Sequence, residues 1–223
     1  MKTTYLKDFA GYAKKRAAFV PLGTIEWHGN HLPIETDFLV AQKICEILAK
    51  IHKGYILPPI YLGSDGKERI GNKELIGMDV NLGKRLPGSL YYMKPSVFFA
   101  MVESLVLNLI GQGFTKIYLV SGHGGSKQLE VLEKVAQKYK EAIFLDPYDG
   151  LSVDLHHADE YETSLLWACC PAEMQKGMRI RLQAKDDYVK YRGYNPLSRA
   201  SLKIGKKILN EMISSLTKLI SRR

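Results

Sequence analysis

The chain reads as an α/β protein, a three-layer α/β/α sandwich around a mostly parallel sheet. Three observations predict this. Short continuous apolar runs, AAFVPL at residues 17–22 and KIYLV at 116–120, have the character of strands buried on both faces. Amphipathic segments of helical period alternate with them. Loops dense in glycine, carboxylate and imidazole follow two of the runs directly, where parallel sheets place ligands.

The elements follow in order. Residues 17–22 form the first buried strand. Thr36 is the expected N-cap of a helix with Val40, Ala41, Ile44, Leu48 and Ile51 at helical spacing, ended by Gly54. Residues 55–61 are expected as a strand, with Pro58 and Pro59 marking its end or an edge position, since proline gives no N–H to a ladder. Residues 63–92 break the alternation. They are rich in Gly, Asn, Lys and Asp, and are expected as an excursion that covers a cleft or forms a subunit contact. Pro95 and Ser96 open a helix reaching Leu109, closed by Gly111 and Gly113. After the strand at 116–120 come a helix at 127–139, a strand at 142–145 and a helix at 160–168. The last helix, 198–220, carries Leu202, Leu209, Met212, Ile213, Leu216 and Ile220 as its apolar stripe.

The composition narrows the class. The 223 residues, 46% of them hydrophobic, suffice for one well-buried core, so a single domain over residues 1–223 is expected. No apolar run approaches the ~18 residues of a membrane span, and the basic N-terminus lacks the apolar stretch of a signal peptide. Cys45, Cys169 and Cys170 form no disulfide framework and lack zinc-finger spacing, which fits a reduced cytoplasmic protein. The net charge is +9, and basic residues thicken at the C-terminus (Lys206, Lys207, Lys218, Arg222, Arg223). Nucleic-acid binding lacks support from any RNA motif or helix-turn-helix signature. A solvated basic surface, or one that steers an anionic substrate, is the simpler reading.

Residues 23–37 (GTIEWHGNHLPIETD) hold the densest chemistry. They crowd Glu26, His28, His31, Glu35 and Asp37 into a turn after the first strand. Glu26 and His28, two apart in an extended turn, point the same way. Asp37 has two oxygens and can bridge two cations, or it can simply cap its helix with Thr36. Ser121-Gly122-His123-Gly124-Gly125 follows another strand. As a phosphate loop it lacks GxxxxGKS/T, and as a serine-hydrolase elbow it lacks G-x-S-x-G. The third region runs from His156 to Ser164 (HHADEYETS). Its acids either complement a helix dipole or bring Glu162 to the same cleft. His157, just before, is placed for acid–base or oxyanion work. Carboxylates and imidazoles at strand ends are what a two-metal hydrolase needs.

These residues carry a resemblance. Pro21-Leu-Gly-Thr-Ile-Glu26-Trp27-His28-Gly-Asn-His31-Leu-Pro33 followed by Thr36-Asp37 resembles the first signature of the creatininase (creatinine amidohydrolase) family. Ser121-Gly-His123-Gly-Gly resembles its second, and His157-Ala-x-x-x-Glu162-Thr-Ser its third, in the family's order and over residues 20–164. The resemblance implies a creatininase-like fold, two divalent metal ions per subunit (Zn2+, Mn2+ or Fe2+), and hydrolysis of a non-peptide C–N bond in a cyclic amide or formamide of a small molecule. Other members open a keto-inositol ring or trim a modified peptide, and a non-catalytic metal- or metabolite-binding protein on this fold is the remaining alternative. Homo-oligomers, hexamers among them, are usual in the family. By position, Glu26, His28, Asp37 and His123 match metal ligands, with Asp37 bridging, and His157 matches a catalytic histidine.

Three departures accompany the match. Creatininase has a glutamate ligand two residues after the histidine of its second signature, and here that position is Gly125. Ser126 stands where many relatives have asparagine, and Trp27 where Gln or Asn is common. These differences argue against creatinine as substrate. Since Gly125 offers no side chain, Glu162, in the first turn of its helix, is expected to complete the second metal site and to be needed for catalysis. Trp27, Tyr91 and Tyr92 are expected to line the substrate pocket.

Overall fold

The computed structural model describes residues 17–222 together with Gly11. The basic N-terminal stretch and Arg223 lie outside the described residues. Four strands, β1 (Ala17–Leu22), β2 (Tyr55–Ile56), β5 (Lys116–Ser121) and β6 (Ala142–Leu145), form one sheet in the order β2-β1-β5-β6. Every pair is parallel. Alternate residues of each strand face opposite sides, and both sides are covered. Phe19, Tyr118, Val120, Ile143 and Leu145 pack with helices α1 (Thr36–His52), α5 (Glu160–Cys169) and α8 (Leu202–Ser221). Ala18, Val20, Leu22, Ile117 and Leu119 pack with α3 (Pro95–Gly111) and α4 (Ser126–Lys138). That is why the strands read as unbroken apolar runs: neither face meets water.

Several expectations change in detail. Only Tyr55 and Ile56 of residues 55–61 enter the ladder, because Pro58 and Pro59 have no N–H to give. The chain nonetheless stays beside β1, with Leu57 N and Ile60 N each donating at 2.9 Å to Phe19 O and Pro21 O. Thr36 is not the N-cap. Glu35 holds that position without a side-chain cap bond, and the Thr36 hydroxyl donates to Pro33 O at 2.6 Å. Lys53, with φ +54°, rather than Gly54, caps the C-terminus of α1. The last helix begins at Leu202, where Ser201 accepts from Ile204 N; residues Pro196–Ser198 form a separate 3-10 turn. The excursion at 63–92 folds into an antiparallel hairpin, β3 (Lys67–Ile70) with β4 (Lys73–Ile76), and a short helix α2 (Met78–Leu82). Two further short helices, α6 (Pro171–Gly177) and α7 (Asp187–Arg192), carry too little periodic pattern to be read from sequence. No helix among the described residues is long and apolar enough to cross a membrane.

One feature of the sheet positions the chemistry. β1 and β5 are neighbours, in register from Ala17↔Lys116 to Leu22↔Ser121, so they end on the same rung. The loops that follow therefore leave side by side. Gly122 N donates to Leu22 O at 2.7 Å, and a Cβ on Gly122 would lie 1.9 Å from Asp37 O. Only glycine lets the second loop press this closely against the start of α1.

Candidate metal centre

Three loops converge at the carboxyl end of the sheet. The first leaves β1 and is folded back by the bond from Glu26 N to Ile34 O (3.1 Å), which brings Asp37 round into the first turn of α1. The second leaves β5 and is closed by the Ser121 hydroxyl donating to His123 O at 2.7 Å. The third precedes α5. Asp159 caps that helix, its Oδ1 accepting from Tyr161 N and Glu162 N and its Oδ2 from His156 N, all at 2.8 Å. His31 ties the first loop to the third: its Nε2 lies 3.2 Å from Ala158 O and 3.1 Å from Thr163 Oγ1. Ala158 is held there at φ +52°.

The side chains meet in two triads that share Asp37, and Glu26, His28 and the partly buried His157 form a third group beside them. His123 Nδ1 lies 3.0 Å from Glu26 Oε1 and 3.0 Å from Asp37 Oδ2. His28 Nε2 lies 3.0 Å from Asp37 Oδ1 and 3.8 Å from Glu162 Oε2. Each triad brings one atom per residue within 4.8 Å of the others, and all five residues are buried. Two ligand atoms about 2.0–2.1 Å from a tetrahedral ion stand ~3.4 Å apart, so these spacings fit cation sites. Asp37 Oδ2 adds a second mark of fit. It is fully buried and makes no well-directed hydrogen bond, although His123 Nδ1 is close. The donor atoms stand at mutual distances that an ion between them would also span. Imidazole with carboxylate suits zinc, manganese or iron.

The protonation states show how much charge is gathered. Burial works against a charge on His28, yet Asp37, then Glu162 and Glu26, raise its pKa to about 10. His123 is raised too, against burial, by Glu26 and Asp37. Burial opposes ionisation of Glu26, but His123, His157 and His28 hold it well below the usual carboxylate range. Burial raises Glu162 to about 8, with Asp37 adding to the rise and His28 opposing it. Glu26 and Asp37 thus draw protons onto the two imidazoles while Glu162 is driven to keep its own, the compensation that a bound cation would supply in their place.

His157 stands over this cluster. Its ring centroid is 4.3 Å from that of His28, and its Nδ1 is 3.5 Å from Glu26 Oε1. Its Nε2 lies 2.5 Å from Trp27 O, a carbonyl that can only accept, so Nε2 carries the hydrogen and Nδ1 is left with its lone pair. Burial first, and then the charge on His28, lowers its pKa to about 4.

The aromatic residues expected in the pocket wall take other places. Trp27 is buried behind His157, with ring centroids 6.3 Å apart, and also packs on Tyr188. Tyr91 is half-exposed and meets Tyr61 edge to face. Tyr92 donates its hydroxyl to Glu26 Oε2. The cavity, about 580 Å³, is lined by Glu26, Asp37, His123, His157 and Glu162 within, and by the excursion without. Asp65, Asp146 and Tyr148 also line it and went unrecognised in the sequence. Nothing local marks them. Asp65 sits in a Gly-Ser-Asp-Gly stretch that reads as a turn, and Asp146 and Tyr148 flank a proline after β6.

Comparison with known proteins agrees with this geometry. The family model for creatininase, described as creatinine amidohydrolase, matches residues 3–220. The chain is 20% identical over 176 residues to the creatinine amidohydrolase of Pseudomonas putida; the alignment covers 68% of this chain and 64% of that protein. Crystallographic creatininase superimposes with a TM-score of 0.69 at 17% identity, covering 98% of this chain and 95% of the other. A mutant creatininase of Zn-Zn type gives the same TM-score, identity and coverage. A creatininase described as its Mn form gives 0.69 and 17%, with 98% and 96% covered. With the family model spanning nearly the whole length, and the three loop motifs meeting at one end of a parallel sheet, the chain belongs to the creatininase family.

Proposed function

We propose that this protein is a hydrolase of a non-peptide C–N bond in a small amide, working with two divalent cations. One would be held by Glu26, Asp37 and His123, and the other by His28, Asp37 and Glu162. The observation that carries the reading is Asp37, which offers one oxygen to each histidine from the middle of five buried ligand residues. Two such ions supply Lewis acidity towards a carbonyl oxygen and lower the pKa of water. The chain's own residues do the rest. Asp37 fixes the spacing of the two triads. Tyr92 holds one oxygen of Glu26, so that Oε1 is the one turned towards His123. His157, locked by Trp27 O, presents an unprotonated Nδ1 beside Glu26. There it takes a proton from the attacking water and delivers it to the departing nitrogen. The cavity volume suits a small metabolite. The glycine at 125, in place of the glutamate of creatininase, supports an amide other than creatinine.

The test is metal counting paired with one variant. The purified protein should carry up to two equivalents of zinc, manganese or iron and should hydrolyse members of a panel of cyclic amides and formamides. Glu162→Gln should fall to about one equivalent and lose most activity, with an unchanged circular dichroism spectrum. Full activity in metal-free protein, or two retained ions in Glu162→Gln, would overturn the proposal.

A further inference from the structure

We propose that Asp65 is a positioning residue for His123, and that Gly125 exists to let the two meet. The inference rests on the cation sites proposed above. His123 turns Nδ1 towards Glu26 and Asp37. Its other nitrogen, Nε2, is buried and has no hydrogen-bond partner. An imidazole that gives the Nδ1 lone pair to a cation carries its hydrogen on Nε2, and a buried N–H requires an acceptor. The carboxylate facing Nε2 is Asp65, with Oδ2 at 3.9 Å. Its Oδ1 is already engaged by Gly66 N at 2.7 Å, which leaves Oδ2 for the imidazole. A closer approach by Oδ2 would make this contact a hydrogen bond.

Two further observations show that the approach is built. The segment before Asp65 is tied to the His123 loop by a buried chain of bonds. Ser64 N donates to Gln128 Oε1 (3.1 Å), Gln128 Nε2 donates to Ser121 Oγ (2.9 Å), and the Ser121 hydroxyl donates to His123 O (2.7 Å). Asp65 and His123 are therefore carried by one rigid unit, although 58 positions (123 − 65) separate them in sequence. The second observation is the space between them. A Cβ at position 125 would lie 2.2 Å from His123 Nε2 and 2.8 Å from Asp65 Cγ. Any side chain there would drive the carboxylate and the imidazole apart. The absence of a side chain at position 125 thus leaves room for an outer carboxylate to orient the histidine. Such partners fix the tautomer and raise the basicity of a ligand histidine.

The experiment is a zinc competition titration against a chromophoric chelator, with metal-free protein in a Glu162→Gln background so that one site is read. Removing an outer partner of this kind costs ~10–100-fold in metal affinity. Asp65→Ala should show that loss with the melting temperature of the metal-free protein unchanged. Asp65→Asn, which keeps an acceptor oxygen but not the charge, should fall between it and the parent. A zinc affinity of Asp65→Ala within threefold of the parent would overturn the assignment. So would a loss matched by a fall in the metal-free melting temperature, which would mark a role in folding. Failure of the protein with Asp65 intact to bind zinc would overturn the metal centre and, with it, this proposal.

Discussion

Buried histidines divide the labour at the level of single residues. His28 and His123 face carboxylates and are pulled towards the charged form, whereas burial lowers His31 and His157 to about 4 each. His31 spends its Nε2 on Ala158 O and Thr163, a structural task. His157 keeps Nδ1 unprotonated beside Glu26, and that difference supports the proton transfer proposed for it. His157→Ala should therefore cut kcat by ~10²-fold or more while metal content stays at the parent level. A drop in bound metal alongside the rate would make it a ligand instead, and an unchanged rate would remove it from the mechanism. The residues legible in the sequence were those whose signal is local. Glu26, His28 and Asp37 share one turn, and His157 and Glu162 share one helix start. Asp65 was illegible because its meaning depends on His123, which only the fold brings near.

Elements were legible where burial imposes a period. β1, β5 and β6 match their apolar runs closely because each is covered on both faces. β2 is much shorter than its run, since two prolines and an edge position limit its ladder, and the β3–β4 hairpin, largely exposed, offers no apolar pattern to read. Contact between α5 and α8 depends on a single glycine. A Cβ on Gly205 would lie 1.7 Å from Ser164 O. Glycine in a helix interior costs roughly 0.5–1 kcal/mol against alanine, so Gly205→Ala would stabilise an isolated helix. Here the opposing atom is backbone and cannot swing away, and overpacking of this kind costs about 1–3 kcal/mol. The clash outweighs the propensity, and Gly205→Ala should lower the melting temperature by several degrees. An unchanged or raised value would mean that the two helices separate freely.

Across the whole molecule, charge is distributed unevenly. The chain carries +9, yet its cavity is walled by Glu26, Asp37, Asp65, Glu68, Asp146 and Glu162, and the lysine there, Lys67, is paired with Glu74. The basic surface expected to steer an anionic substrate does not continue into the cavity. Glu26, Asp37 and Glu162 among those carboxylates are buried together, and cations in the proposed sites would offset their crowding. Ion binding should therefore raise stability by about 2.7 kcal/mol at a free concentration 100-fold above Kd. Differential scanning calorimetry should show the melting temperature falling after chelation and recovering with added zinc or manganese; equal melting with and without ions would contradict the buried cation sites. The exposed β3–β4 hairpin gives the molecule a further property. The side chains of the proposed ion sites come from loops anchored on β1, β5 and α5, whereas part of the outer cavity wall, residues 66–68, lies at a two-stranded ribbon outside the main sheet. Lengthening or exchanging that ribbon leaves the core sheet intact. Selection, or an engineer grafting hairpins, should therefore be able to alter which molecule enters the cavity while the buried cluster beneath it stays the same.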